Sequence, residues 1–336
     1  MKKVLLGFLA VIVIGAGVVV ITVRSYVSNT HGSPGGGPVT FTVHAGDTLS
    51  GLGPALQSAG VIGSPRDFKI WLRISGNSIS LQQGDYDLRR HQGYGDIVST
   101  LSKGPVVISQ SLLVREGLTV TETANAAGAL TIVHIAPQDF VAAATTATVT
   151  PDVPAPGAPT LEGYLYPDTY LVDPKATPEG LVRELVGEFA KKAAQLDWSS
   201  PPGGVTPYQA LIIASMIERE AKAASDGPMI ASVIYNRLKA GMKLQIDDTI
   251  YYAEQKPFGT PLTDADRAFR SPYNTYVAAG IPPTPIDSPQ LSSIQAALKP
   301  ASTKDLYYVL SADCVHHSFF QTAAEFQAAA AHTPSC

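Results

Sequence analysis

The chain has 336 residues, 45% of them apolar and 15% charged, with a formal net charge of −4 and a pI near 6.0. That apolar share excludes a disordered tail, and the acidic balance supplies none of the basic surface that nucleic acid requires. The length supports more than one hydrophobic core, and the 29 glycines and 26 prolines imply many turns and loops.

Residues 1–3, Met-Lys-Lys, precede an uncharged apolar run, VLLGFLAVIVIGAGVVVITV, at 4–23, with Arg24 behind it. A helix of that length reaches roughly 30 Å, the thickness of a bilayer core. The run ends without a small-x-small cleavage site and holds no cysteine for lipid attachment. It therefore reads as an uncleaved single-pass anchor rather than a signal peptide. Lys2 and Lys3 favour a cytoplasmic N-terminus, which puts the remainder on the periplasmic or extracellular side of the inner membrane. Residues 24–38, ending in SNTHGSPGGGP, read as a flexible linker.

A small α/β module is expected over 39–104. It opens with a strand at Thr40–Val43, a turn at Ala45-Gly46-Asp47, and a helix capped by Asp47 or Thr48. A second helix runs from Pro65 to Arg73. LQQGDYDL reads as a returning strand and GYGDIVSTLSKG as a short helix stopped by Gly104.

A larger mixed domain is expected over 105–336, so the whole is of the α+β class. VVISQSLLVREGLTV alternates as strands do, and the Pro/Thr/Ala-rich stretch 145–160 is a loop. Residues 177–198 form an amphipathic helix capped by Thr177, with Leu181, Leu185, Phe189 and Ala193 on one face. Thr206-Pro207 opens another helix through LIIASMIERE, and a further one ends near Lys239. A strand or loop then carries Gln245, Asp247 and Asp248. LSSIQAALKP, DLYYVL and HHSFF read as helix, strand and strand. Cys314 and Cys336 either pair in an oxidising compartment or remain thiols.

The helix in ASMIEREAK raises a chemical question, because a carboxylate follows an almost solid apolar run, Leu211–Ile217. Leu211, Ala214, Ser215 and Glu218 share a face. Glu220 lies about 200° further round and is expected to meet solvent, Arg219 or Lys222. A carboxyl at the rim of an apolar face is desolvated, which raises its pKa and suits it to donate a proton. The alternative is an ordinary helix-end glutamate in a surface ion pair. Downstream, SPYNTY (271–276) concentrates aromatic, amide and hydroxyl groups of the kind that bind sugar rings, or else forms a structural loop before GIPP.

ASMIEREA, ASVIYNRLKAGMKLQIDDT, SPYNTYVAAGIPPTPI, LEGYLYPDTY and YYVL…HHSFFQT stand in this order. Together they closely resemble the endolytic murein transglycosylase, or YceG-like, family. The strand–GDTL–helix start resembles a LysM module, which binds cell-wall glycans. The resemblance implies a membrane-anchored lytic transglycosylase that cuts peptidoglycan strands internally, without metal or organic cofactor, beside the synthases that make them. It places the catalytic glutamate on Glu218, which would protonate the MurNAc–GlcNAc oxygen and then accept the proton of the muramyl C6 hydroxyl, leaving a 1,6-anhydro end. It implies substrate contacts from Gln245, Asp247, Tyr273, Asn274, Thr275 and Tyr276, with Ser215 beside the acid. His317 and Phe319 match the family's Gly-His-x-Phe element, whereas Asp248 stands where the family has proline. The rival readings are a hydrolytic muramidase using Asp247 or Asp248 as a second carboxylate, and a glycan-binding scaffold that cuts nothing.

Overall fold

The computed structural model describes residue 18 and residues 36–106, 109–153 and 157–332. The apolar run at 4–23, Val18 excepted, lies outside them, as does the linker up to residue 35. Among the described residues no helix is long and apolar enough to cross a membrane. The chain divides into two compact units, 1–108 and 109–336.

The first unit builds on β1 (Pro38–Val43), α1 (Gly53–Ser58), α2 (Pro65–Ser75), β2 (Gly84–Arg89) and α3 (Tyr94–Ser102). The strands run antiparallel, with Pro38 opposite Arg89 and Val43 opposite Gly84. Their inward residues Phe41, Val43, Tyr86 and Leu88 meet Leu56, Phe68, Trp71, Ile97 and Leu101 from the helices. The expected order of elements is present, but neither Asp47 nor Thr48 caps α1. Asp47 instead accepts from the His44 N–H and Thr48 from the Gly51 N–H, closing the turn, and α1 starts later without a side-chain cap.

The second unit comprises β3 (Gln110–Val114), α4 (Val120–Gly128), α5 (Pro137–Ala143), β4 (Asp168–Val172), α6 (Pro178–Ala193), α7 (Pro207–Glu220) and α8 (Gly227–Lys239). It continues with α9 (Asp248–Glu254), α10 (Asp264–Ala268), α11 (Leu291–Leu298), β5 (Tyr307–Leu310), β6 (His317–Phe320) and α12 (Ala323–Ala330). β3 pairs with β4 and β5 with β6, both antiparallel. The α+β expectation holds, with three two-stranded sheets among the described residues. α6 stops at Ala193 rather than 198, because the Trp198 indole N–H turns back to the Ala193 carbonyl at 3.0 Å. Asp248 begins a helix where a strand or loop was expected, with Thr249 holding the Ile246 carbonyl at 2.6 Å. Cys314 is disulfide-bonded, and Cys336 lies outside the described residues.

α7 forms the spine of this unit. Thr206 caps it in a reciprocal box with Gln209, and Pro207 occupies the first turn. Tyr208 and every residue from Ala210 to Ile217 are buried, so the helix has no solvent face. It packs against α8 and α11. Ser215 ties it to the 284–290 segment by accepting from the Ile286 N–H at 3.0 Å while donating to the Ile212 carbonyl at 2.8 Å.

Gly163 sits against the same segment in the left-handed region (φ +87°), where a Cβ would fall 2.6 Å from Pro285. Gly163→Ala therefore combines backbone strain with overpacking. It is expected to cost about 2 kcal/mol or more, read as a lowered urea midpoint.

Candidate active site

The last turn of α7 sends three consecutive side chains in different directions. Glu218 turns to the start of α11, where its two oxygens accept from the Gln290 backbone N–H (3.0 Å) and side-chain amide (3.1 Å). A carboxylate there satisfies a helix N-terminus and is favoured by its dipole. Arg219 donates through Nε to the buried Asp287 carboxylate at 3.0 Å and stacks over Phe258. Glu220 turns into an open cleft of about 750 Å³.

The surroundings of the two glutamates thus differ from those expected. They do point in nearly opposite directions, but Glu220 faces the cleft rather than bulk solvent, and Glu218 is committed to α11. With both sides of α7 buried, apolar periodicity could not tell which side opens onto a groove.

Around Glu220 the cleft is walled by Arg237 of α8, Gln245, Asp247 and Asp248 at the start of α9, Tyr276, and Tyr308 and His317 of the β5–β6 hairpin. The Tyr308 side chain lines the same cleft as Glu220. Burial, reinforced by the negative charge of Asp248, pushes Glu220 up to about 8 against the pull of Tyr308 and Arg237. Burial likewise raises Asp248, to about 6, against the pull of Arg219. Burial thus favours the protonated form of both carboxyls.

Two walls are clamped together by Arg237, whose Nε donates to the Leu306 carbonyl and whose Nη1 donates to that of Leu244, each at 2.6 Å. Asn236 beside it holds the Thr303 and Asp305 carbonyls. Sequence reasoning passed over both residues. Their signal was present, since an Asn-Arg pair stands out on a helix that is otherwise apolar. Glu162, in LEGYLYPDTY, was also missed. It is buried behind the site, accepting from the Val120 N–H at 2.9 Å and from the Tyr252 hydroxyl at 3.2 Å, and burial pushes it up to about 8.

Of the other expected contacts, Gln245, Asp247 and Tyr276 reach the cleft. The Tyr276 hydroxyl donates to Asp247 at 2.6 Å. Gln245 adopts a left-handed backbone (φ +55°), with its N–H on the Thr275 carbonyl and its side chain exposed. Ser215, Asn274 and Thr275 are buried and do not reach the cleft. Asn274 donates to the Asp266, Arg267 and Phe269 carbonyls, and Thr275 accepts from the Ile246 N–H at 2.9 Å. Tyr273 packs on Tyr252 and shares a hydrogen bond with Thr284. SPYNTY is thus chiefly the structural loop of the two alternatives, presenting Tyr276 alone of its expected contacts.

A partly buried acid that retains its proton, set in an open cleft among tyrosines and amides, is suited to protonating a leaving oxygen of a polymer. The family model for the YceG-like family matches residues 41–332, and the chain belongs to that family. It is 30% identical over 287 residues to the endolytic murein transglycosylase of Bacillus subtilis (strain 168), covering 81% of this chain and 78% of that protein. It is 28% identical over 300 residues to the endolytic murein transglycosylase of Streptococcus pneumoniae (strain D39 / NCTC 7466), covering 81% of this chain and 54% of the relative. The chain thus spans about half the length of that streptococcal protein. A crystal structure of a yceG-like protein from Listeria monocytogenes superposes with a TM-score of 0.57 at 28% identity, covering 88% of this chain and 99% of that one.

Removing the charge of Asp248 should let Glu220 ionise more easily. In Asp248→Asn the Glu220 carboxyl, followed by its carbon-13 resonance, is expected to titrate roughly one pH unit lower than in the wild type.

Proposed function

We propose that this chain is an endolytic murein transglycosylase, a lytic enzyme that cuts peptidoglycan strands internally between MurNAc and GlcNAc and leaves 1,6-anhydro ends. The observation that carries the reading is Glu220, part-buried in an open, tyrosine-lined cleft where burial raises its pKa. The names of the Bacillus and streptococcal relatives support the same reaction.

In this mechanism Glu220 donates its proton to the glycosidic oxygen as the C1–O bond breaks and the sugar approaches an oxocarbenium state. The carboxylate left behind takes the proton of the C6 hydroxyl on the same ring. That oxygen closes on C1, and Glu220 ends protonated again, its first proton having left on the departing sugar's oxygen. One carboxyl serves twice because the nucleophile belongs to the substrate. Tyr276, Asp247 and Gln245 offer an aromatic face, an acceptor and an amide to the glycan at the opposite wall.

An anchor over residues 4–23, with the catalytic unit beyond the cytoplasmic membrane, completes the reading. The apolar run and its lysine flank support it, and it brings the cleft within reach of strands as synthases extend them. On this reading, cleavage ends the elongation of a strand.

A second reading draws on the Asp248 carboxylate in the same cleft, which favours a hydrolytic muramidase in which water attacks C1. Mass analysis of muropeptides released from purified wall by the full chain separates the two, since an anhydro end is one water lighter than a hydrolysed end. The anhydro product is expected. Glu220→Gln should lower the rate by roughly 10²-fold or more, whereas Glu218→Gln, which keeps one oxygen to accept the Gln290 backbone N–H, should retain most of it. The opposite ranking would return the acid to Glu218.

A further inference from the structure

The first unit carries its charge unevenly. Between residues 36 and 106 stand six lysines and arginines, against five aspartates and no glutamate. Five of the six bases, Arg66, Lys69, Arg73, Arg89 and Arg90, lie on α2 or at the end of β2. We propose that the outer face of α2 docks on the surface of a bilayer that contains anionic lipid, with Ile70 and Ile74 against the acyl boundary and Arg66, Lys69 and Arg73 among the phosphates. The inference rests on residues 4–23 being an anchor, which brings the unit to such a surface.

At about 100° per residue, Lys69, Arg73, Arg66, Ile70 and Ile74 follow one another round α2 within roughly 140°. All five are exposed. Phe68, Trp71 and Leu72 on the other side are buried and hold the helix to its core. Ser64 caps α2 through the Asp67 N–H, and Gly76 closes it in a left-handed backbone at φ +67°, so the face is built before any lipid meets it. One aliphatic side chain in water needs no explanation. Ile70 and Ile74 are a turn apart, 39% and 40% exposed, and share their arc with three bases. Aliphatic groups can enter the interface while the long stems of lysine and arginine reach back to the phosphates. Among the described residues Arg66, Lys69 and Arg73 form no ion pair. Half-buried Asp67 bounds the arc, and the other four aspartates lie off the helix.

The path of the chain supports the same occupant. The Arg90 N–H donates to the Gly37 carbonyl at 3.2 Å, and the His91 N–H to that of Gly60 at 3.1 Å, in the connection leading to α2. Arg89 and Arg90 thus stand between the entering chain and the start of α2, and extend the basic surface towards the proposed anchor. Residues 24–35 can span at most about 40 Å. On the anchor reading the unit therefore stays near the bilayer, and a contact too weak between separate molecules becomes populated within a tethered one. Each base near an anionic surface favours that contact by about fivefold.

The test reconstitutes the full chain into vesicles of phosphatidylcholine alone, or of phosphatidylcholine and phosphatidylglycerol in equal parts. A nitroxide is placed on Ile74→Cys or, as control, on Ser99→Cys. Ser99 is exposed on α3, whose Tyr94 packs against Phe68 and Trp71 on the buried side of α2. At residue 74, collisions with lipid-soluble oxygen are expected to exceed those with a water-soluble nickel chelate only where phosphatidylglycerol is present. At residue 99 the chelate should dominate in both vesicles. Lys69→Gln with Arg73→Gln should lower the ratio of docked to free label about tenfold or more. A residue-74 label that stays in water on the anionic vesicles would overturn the proposal. So would one shielded equally on neutral vesicles, because a protein, a second copy included, would then cover the face. Flotation after a high-salt wash reads the anchor separately. A chain washed off overturns the anchor reading and the proposal with it, whereas a retained chain with a wet label overturns the proposal alone.

Discussion

A helix buried on every side must still end, and the way α7 ends governs the site. Residues 210–217 leave the helix no wet face, so its charged groups are gathered into its final turn. Successive residues there are about 100° apart, and each meets a different surrounding: Glu218 the start of α11, Arg219 the Asp287 carboxylate, Glu220 the cleft. Rotating the helix by one residue would trade these destinations. The Thr206–Gln209 box at one end and the Ser215–Ile286 bond in the middle fix the register that keeps the acid where it is.

The cleft around that acid is an electrostatic compromise. Desolvation and neighbouring aspartates hold a proton in place, while a phenol and two arginines favour its departure. The arginines do so without offering their whole hydrogen-bonding capacity to a ligand. Arg237 spends donors on two backbone carbonyls, and Arg219 spends one on Asp287. Positive charge is thus brought near the acid by groups whose first task is to hold the walls together. A free lysine could supply the charge but not the fork that joins β5 to the 244 loop.

Much of this was legible in the sequence. Apolar periodicity, Thr-Pro helix starts and Gly stops located α2, α6, α7 and α8 closely, because each is a local signal. The strands β1, β2, β5 and β6 were expected where they stand, and alternation pointed to β3. The choice between Glu218 and Glu220 was not local. It depends on Gln290, seventy-two residues away from Glu218, and on a hairpin beyond residue 306. The SPYNTY loop misled for a related reason. Amide and hydroxyl side chains serve equally to bind a sugar or to satisfy buried carbonyls, and Asn274 and Thr275 do the second. Composition reveals hydrogen-bonding capacity, and only the fold decides where it is used.

Gln245 offers a different kind of testimony. Its backbone stands at φ +55°, a region where glycine rests at no steric expense and asparagine is far more at home. A glutamine kept there forgoes the easier backbone of a smaller residue in exchange for a long amide at the mouth of the cleft. Across relatives of this chain, such a position is a natural place to ask whether ancestry has preserved a side chain at the expense of conformational comfort.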